Sequence, residues 1–204
     1  MIKRAWKKYR ARKSKVGMCC DFLILLLVIF LCAAPLRMML HIGLVRLTAC
    51  QPNRIDDSFY VNKTDTLIAK TSDNNDTCVF LCSNRPTLYN FGSLNSAQSR
   101  AELRSLNKLA QKYKNRLCVL FLTDSTPDEV IKYFGKHGYI ITPVFLPSTD
   151  DFLQEHDIIS ELRFSVPASL LVNSEGKVII KKFGAAKWTG NKIEQTIDEV
   201  IADK

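Results

Sequence analysis

Cysteine and serine are the residues of this chain whose spacing could support covalent chemistry. Three of the seven cysteines, Cys78, Cys82 and Cys118, are candidate redox thiols. Of the other four, Cys19, Cys20 and Cys32 fall in or beside an apolar run, and Cys50 ends a lipobox-like run. On one continuous strand, Cys78 and Cys82 would have Cα atoms about 13 Å apart, and a disulfide needs less than about 7 Å. They can pair with each other only if the strand breaks between them. A bridge from either one to Cys118 stays open.

Two serines with two residues between them, Ser96 and Ser99, precede an amphipathic stretch. A serine hydroxyl becomes a nucleophile through an adjacent base, and none of the three histidines stands in a sequence context that pairs it with Ser96. The run from Ser99 to Glu102 fits the S-x-x-E capping box, which predicts a helix beginning at Ser99. The pattern therefore indicates a structural role for these serines. The chain shows no metal-ligand spacing, and no cofactor is expected.

The apolar patterns predict an α/β fold with a mixed central sheet flanked by helices. A hairpin over Thr66–Ala69 and Thr77–Leu81 comes first. A helix begins at Thr126 and ends near Gly135. The alternation of strands and helices predicts parallel pairing at the front, and a final hairpin adds antiparallel strands. The remaining predicted strands cover residues 87–91, 117–122, 140–146, 166–172 and 178–183, and the remaining helices cover residues 99–114, 149–162 and 191–201.

A basic arm followed by an apolar run occupies the N-terminus. The first fifteen residues carry a charge of +8, which leaves +1 for residues 16–204, so the body of the chain lacks the basic character of a nucleic-acid-binding protein. Residues 16–36 contain one charge, Asp21, and about 20 apolar residues span a bilayer core. The basic arm places the N-terminus inside. One transmembrane helix is expected within residues 16–40, with the C-terminal domain at the outer face of the cell membrane, periplasmic in a bacterium.

Two processing signals leave the fate of this anchor open. Cys32-Ala33-Ala34 resembles a signal-peptidase site, although Pro35 follows it and the basic region is long. The run Leu47–Cys50 resembles a lipobox, although charged residues interrupt the stretch before it. The predicted organisation is a cytoplasmic basic arm (1–15), a transmembrane anchor (16–40), an interfacial segment and connector (41–65), and an α/β domain (66–204).

Three segments resemble the TlpA/ResA-like branch of the thioredoxin superfamily, which includes the alkyl hydroperoxide reductase/thiol-specific antioxidant relatives. Members carry a segment like N-F-W-A-T-W-C-P-P-C-x-A-E-x-P-S-L, and the run Asn90–Leu106 is similar to it at both flanks. The run Phe164–Lys177 resembles the family's cis-proline strand and hairpin, and Gly184–Trp188 resembles its glycine-alanine-tryptophan segment. The resemblance covers about residues 85–201. It implies a thioredoxin-like fold with an N-terminal β-hairpin extension.

The resemblance also implies where the family's dithiol site would lie. Ser96 and Ser99 stand at its two cysteine positions as Ser96-Ala97-Gln98-Ser99, so no catalytic residue is expected there. Family-type thiol-disulfide exchange is excluded, because a hydroxyl supplies no thiolate near neutral pH and forms no S–S bond. The chain is expected to be a redox-inactive binding or scaffold module rather than an enzyme. The alternative is an oxidoreductase that uses thiols outside this site. An extended peptide or partner protein would occupy a groove lined by Asn95, Ala97, Gln98, Val166 and Pro167, with Pro167 cis as in the family.

Overall fold

The computed structural model describes residues 14–55, 59–61, 66–70, 76–80, 84–146 and 166–202. The chain divides into two compact units, Met1–His41 and Ile42–Lys204. The second unit begins earlier than the predicted 66–204 domain, because the preceding segment hydrogen-bonds to it. The N–H of Ile55 donates to the carbonyl of Ile179 over 3.0 Å, and the N–H of Val61 donates to the carbonyl of Gly176 over 2.8 Å.

Two helices replace the single continuous helix predicted within residues 16–40. Helix α1 covers Lys15–Cys32, and α2 covers Ala34–Thr48. Ala33 between them has an extended backbone, and Pro35 explains the interruption because proline lacks an N–H and clashes with the preceding turn. Taken singly, none of the described helices is long and apolar enough to cross a membrane, whereas Val16–Ile29 and Ala34–Thr48 together meet that criterion as a broken pair.

An eight-stranded mixed sheet forms the second unit. Its strands are β1 Phe59–Tyr60, β2 Thr66–Lys70, β3 Asp76–Phe80, β4 Thr87–Phe91, β5 Cys118–Thr123, β6 Thr142–Phe145, β7 Ala168–Val172 and β8 Lys177–Phe183. Their order in the sheet is β1-β8-β7-β4-β5-β6-β2-β3. Strands β4, β5 and β6 are parallel, and the other neighbouring pairs are antiparallel. The central position of β4 explains why all five of its residues are buried.

Three helices follow strands of this sheet. Helix α3 covers Ala97–Tyr113, α4 covers Pro127–His137, and α5 covers Asn191–Ala202. Each buries an apolar stripe at helical spacing, such as Ile193, Ile197 and Val200 of α5. These stripes pack in one core cluster with Trp188, while alternate residues of the central strands face a second cluster on the other side of the sheet. Alternation along β4 therefore decides which of its residues face α3.

The predicted mixed α/β sheet with flanking helices is confirmed, including the antiparallel hairpin of β2 and β3. That hairpin joins the sheet through β6, where Lys70 pairs with Phe145. Strand β1 lies in the segment predicted to be a connector, and it pairs with β8 at the opposite edge of the sheet. The predicted helix over 149–162 lies outside the described residues.

Candidate functional site

The candidate site lies where β4 ends and α3 begins. Gly92 follows β4, and its N–H donates to the carbonyl of Leu122 on the neighbouring strand over 2.9 Å. A Cβ on Gly92 would lie 2.6 Å from the Phe121 ring, so only glycine fits without displacing that ring. Gly92 stands where the family segment has its first tryptophan, so the sequence differs from the family at this position as well as at the two cysteines. The chain thus turns tightly against β5 before it reaches the two serines.

Ser96, not Ser99, caps helix α3. The backbone of Ser96 is extended, and its hydroxyl accepts the N–H of Ser99 over 3.3 Å. Ser99 lies in the first turn, fully buried, and its hydroxyl accepts the N–H of Ser93 over 3.2 Å. The predicted capping box from Ser99 to Glu102 is therefore wrong, because the cap lies three residues earlier, at Ser96. Both hydroxyls accept backbone hydrogen bonds at this junction.

The predicted groove residues occupy the same end of the sheet. The peptide bond between Val166 and Pro167 is cis, as the resemblance implied. Strand β7 begins with the next residue, Ala168, which pairs with Phe91 at the end of β4, so Pro167 lies at the level of the loop before α3. Asn95 in that loop is exposed, Gln98 and Val166 are partly exposed, and Ala97 and Pro167 are buried. The sheet register therefore brings the loop and the cis-proline together.

The backbone of Val166, the residue before the cis-proline, has no backbone hydrogen-bond partner among the described residues. The carbonyl of Pro167 accepts the N–H of Gly184 over 2.8 Å, which ties Pro167 to the end of β8. A strand edge with a free donor and acceptor can pair with an extended polypeptide. Among the predicted groove residues, Val166 is thus the one whose backbone N–H and carbonyl both have no hydrogen-bond partner within the described chain.

A buried carboxylate cluster lies one turn further along α3. Glu102 is 1% exposed and accepts hydrogen bonds from Nε1 of Trp188, from Nδ2 of Asn90 over 3.0 Å and from the hydroxyl of Ser169 over 3.3 Å. Nδ2 of Asn90 also donates to the hydroxyl of Ser169 over 2.8 Å, and a backbone hydrogen bond from Ala186 completes the set. The cluster joins α3, β4, β7 and the segment after β8.

Burial dominates the electrostatics of this cluster. Removal from solvent raises the pKa of Glu102 from 4.5 to about 7, and the hydrogen bonds from Trp188 and Asn90 oppose that rise. Oδ1 of Asn90 is buried without a hydrogen-bond partner, so the amide retains an acceptor facing no donor among the described residues. Near neutral pH the carboxyl group can therefore hold or release one proton inside the domain.

Sequence reasoning missed the role of Glu102. It assigned this residue to a helix cap, although Glu102 lies four residues before Leu106 and therefore on the inward face of α3. Asn90, Ser169 and Trp188 lie in the three segments that carry the family resemblance, and none of them was predicted to bind Glu102. A carboxylate on the apolar stripe of a helix was the available signal, because a buried carboxylate requires hydrogen-bond donors from other elements.

The described structure does not bring Cys78 and Cys118 together. Cys118 on β5 is a free, half-buried thiol lining a cavity of about 270 Å³ with Arg85 and Lys114. Burial raises the pKa of Cys118, and Arg85 opposes the rise. Cys78 lies on β3, and two strands separate β3 from β5, a distance of about 14 Å at about 4.8 Å per strand. This order excludes the Cys78–Cys118 bridge that the sequence left open, and Cys82 lies outside the described residues. In the described ranges, no three His, Cys, Asp or Glu side chains form a group that could hold a metal ion.

Comparison with solved structures identifies the fold. A proposed thiol-disulfide oxidoreductase from Bacteroides vulgatus superposes with a TM-score of 0.54 at 16% identity, over 72% of this chain and 99% of the other. A peroxiredoxin-like protein from Aquifex aeolicus gives 0.51 at 12% identity, over 73% and 90%. A proposed thiol:disulfide interchange protein DsbE from Chlorobium tepidum gives 0.50 at 18% identity, over 76% and 99%. No protein-family model and no curated protein matches the sequence. The chain therefore has a thioredoxin-like fold.

Proposed function

We propose that this chain is a membrane-anchored, extracytoplasmic thioredoxin-like protein of the TlpA type that binds an extended polypeptide beside Pro167 and performs no dithiol exchange. The observation that carries the proposal is the hydrogen bonding of the two serines. The hydroxyls of Ser96 and Ser99 accept the N–H groups of Ser99 and Ser93 at the positions where the family resemblance implies a cysteine pair. The site keeps its helix junction and its cis-proline but offers no sulfur.

Chemistry at this junction follows from the side chains present. A thiol at a helix N-terminus loses its proton readily because the orphan N–H groups and the helix dipole stabilise the thiolate. A serine hydroxyl at the same place remains protonated near neutral pH, and it cannot form the mixed disulfide on which exchange depends. The helix N-terminus is therefore preserved as structure while its redox chemistry is gone.

Binding of an extended peptide does not require the cysteines, because it depends on backbone groups beside Pro167. The N–H and carbonyl of Val166 have no backbone partner among the described residues. They suit pairing with one residue of an extended peptide, in the manner of strand addition at a sheet edge. Exposed Asn95 and partly exposed Gln98 would flank that peptide from the helix side. Backbone pairing with Val166 would accept peptides of many sequences, and the side chains of Asn95 and Gln98 would select among them.

The alternative is a thiol-disulfide oxidoreductase that uses Cys78, Cys82 or Cys118. Cys118 has a cavity and a nearby Arg85, which are features of a reactive thiol. Burial nevertheless raises its pKa, and a raised pKa lowers the thiolate fraction at neutral pH. Thiol titration of the folded and denatured chain, with mass mapping of modified cysteines, distinguishes the two functions. A reactive or reversibly bridged Cys118 would support the alternative.

The proposed function is tested by paired assays on the full chain. An insulin-reduction assay should give the uncatalysed rate. A photo-reactive amino acid at position 95 should cross-link a polypeptide in the native membrane, whereas the same group at Glu175, in the turn before β8, should not. Insulin reduction that is lost in Ser99→Ala and survives alkylation of every cysteine would contradict the reading of the site. Equal cross-linking at both positions would contradict the groove.

Membrane anchoring is tested separately by topology. The +8 arm before the apolar run supports an inside N-terminus with residues 51–204 outside. A C-terminal reporter that works only in the cytoplasm should be silent, and these outer residues should be accessible to protease from the outer side. An active reporter would overturn the orientation, without bearing on the groove.

A further inference from the structure

A basic surface surrounds a small cavity beside helix α3. Four cationic side chains, Arg46, Arg104, Lys108 and Lys187, line a cavity of about 140 Å³ whose remaining lining is small or neutral. Lys108 and Lys187 are exposed. We call this surface, with Arg100 next to it on α3, the basic face. All of it belongs to the compact unit that begins at Ile42.

Among the described residues, the charges of the basic face lack acidic partners. Arg100, Arg104, Lys108 and Lys112 follow one another at intervals of four residues, so like charges are neighbours along α3, which destabilises an isolated helix. Lys112, which lies beyond the basic face, is neutralised by Glu194 over 2.7 Å. In the described part of the chain, no carboxylate forms a salt bridge with the cations of the basic face. An external anion would relieve their repulsion.

Hydrogen bonds fix the position of the basic face. Nε of Arg46 donates to the carbonyl of Ala101 over 3.4 Å, which places the guanidinium beside the first turns of α3. The hydroxyl of Ser105 donates to the carbonyl of Glu102 over 2.9 Å and accepts the N–H of Trp188 over 3.2 Å. The cavity floor is thus joined to the buried carboxylate cluster, and a ligand there would meet a preformed surface.

Two tyrosines border the basic face. The guanidinium of Arg100 lies 5.2 Å from the ring centroid of Tyr133, and the Tyr133 and Tyr139 rings are 6.1 Å apart. Burial raises the pKa of both phenols, and the positive charge of Arg46 opposes this rise at each. Tyrosine next to arginine and lysine is the composition of a surface at the level of lipid headgroups, where rings and cationic heads meet both phosphate and water.

Chain length places this surface near the expected bilayer. Arg46 follows Leu36, the last residue of the apolar run, by ten residues, which span about 15 Å when helical. A cation this close to the end of a membrane anchor lies within reach of headgroup phosphates. A soluble acidic partner would require no such proximity.

We infer that the basic face docks the domain onto anionic phospholipid, with the cavity between Arg46, Arg104, Lys108 and Lys187 receiving a headgroup phosphate. This inference rests on the proposed function, because it takes the apolar N-terminal region to be anchored. Docking holds α3 parallel to the membrane surface rather than leaving the domain free on its connector. The peptide groove beside Pro167 then has a set orientation toward the bilayer.

The test uses the full chain in nanodiscs of phosphatidylcholine, with and without phosphatidylglycerol. Amine-reactive labelling with mass mapping reports the accessibility of Lys108 and Lys187. Phosphatidylglycerol should lower the reactivity of both several-fold, and high salt should restore it. The exposed Lys114, beyond the last turn of α3, and Lys177, at the β1 edge of the sheet, should keep their reactivity.

Matched variants identify the groups responsible. Arg46→Gln with Arg104→Gln should weaken docking about 30-fold, because each cation near an anionic surface contributes about fivefold. The protection of Lys108 and Lys187 should then disappear. Lys114→Gln with Lys177→Gln removes the same charge elsewhere and should leave the protection intact. Circular dichroism checks that both variants fold.

Several results would overturn the inference. Equal reactivity on the two kinds of disc would exclude a lipid surface. Inorganic phosphate that protects both lysines equally well in neutral detergent would assign the cavity to a soluble anion instead. Protection that requires a co-purified acidic protein would assign the face to that protein. Membrane anchoring is tested independently: alkaline carbonate should not release the chain from its membrane. If it does, docking is measured as the protection of Lys108 and Lys187 by phosphatidylglycerol vesicles.

Discussion

The two serines at the N-terminus of α3 and Glu102 one turn later differ in how far along the chain their partners lie. Ser96 and Ser99 bind backbone groups three and six residues away. Glu102 binds side chains that are 12, 67 and 86 residues away. Replacing a side chain that makes only local contacts changes the structure of one helical turn. Replacing a side chain that binds distant segments disturbs several elements at once. The comparison shows why a side-chain change at this junction can leave the fold intact.

Glu102→Gln should have the largest effect. The pKa of Glu102 is raised by burial from 4.5 to about 7, so the folded chain binds the proton more tightly than the unfolded chain between these pH values. Stability from this group is present below about pH 4.5 and is lost as the pH rises through about 7. Glutamine does not titrate. The unfolding free energy of the variant relative to the natural chain should rise by up to about 3 kcal/mol from pH 4.5 to 8.

Denaturant unfolding of the full chain in detergent micelles at several pH values measures this difference. The unpartnered Oδ1 of Asn90 can rotate to accept the new amide N–H, so the variant should fold. Glu194→Gln is the matched control. The pKa of Glu194 is lowered by its hydrogen bond with Lys112, so its effect should be small and of opposite sign. Parallel pH curves for Glu102→Gln and the natural chain would contradict a buried titrating carboxyl.

Trp188→Phe should have the second largest effect. The indole Nε1 donates to Glu102, and this hydrogen bond favours the charged carboxylate. Its loss should cost about 2 kcal/mol at pH 8 and less at pH 5, where the carboxyl is protonated. The same unfolding experiment measures the cost at both pH values. When Trp188→Phe is made in a chain that already carries Glu102→Gln, its cost should no longer depend on pH. A cost independent of pH would show that Trp188 acts through packing alone.

Much of the fold could be predicted because its signals are local. Strand β4 was predicted at its observed limits, and α5 within one residue of them, since apolar runs, turn residues and helix-capping patterns lie within short windows. The break between α1 and α2 was missed, although Pro35 provided a local signal for it. Strand β1 was missed because two residues that pair with β8 carry no pattern of their own.

The site could be predicted in position but not in its internal contacts. The flanks at Asn90 and Glu102 located the helix junction, and the resemblance indicated the cis Val166–Pro167 bond. The cap was placed at the wrong serine because two overlapping patterns, one from Ser96 and one from Ser99, compete in one turn. The carboxylate cluster depends on contacts between segments distant in sequence, which no local pattern reports.

Ser96→Ala should have a smaller effect than either change in the cluster. It removes the acceptor for the N–H of Ser99, and loss of a helix N-cap costs about 1 kcal/mol. Thr126→Ala is the matched control, because Thr126 caps α4 without a side-chain hydrogen bond and its replacement should therefore cost less than that of Ser96. Chemical unfolding at one pH compares the two variants. Equal costs would mean that the cap contributes nothing specific to the junction.

Introducing a cysteine pair tests whether the junction keeps the geometry that the family resemblance implies. Ser96→Cys with Ser99→Cys, in a chain whose natural cysteines are replaced, exchanges each hydroxyl for a thiol at the cap and in the first turn. The cap geometry supports a disulfide between these two positions, and it should form reversibly under mild oxidation. The thiol replacing Ser96 should have a pKa below the free value of about 8.5, because it lies at a helix N-terminus.

Bond formation, rather than turnover, is the informative measurement for this pair. Asn95 stands where the family segment has an aromatic residue, and Ala97-Gln98 where it has two prolines. The solvent access and the reduction potential of the new pair should therefore differ from those of a dithiol protein of that family. For such a pair, about 30 mV corresponds to about 1.4 kcal/mol. Gln98→Cys with Ser99→Cys is the control, since adjacent side chains of a helix do not face each other. Mass spectrometry after oxidation should detect the bridge only at the first pair. A folded first pair that never forms the bridge would show that the junction has lost the family geometry, whereas the cluster around Glu102 could still be intact.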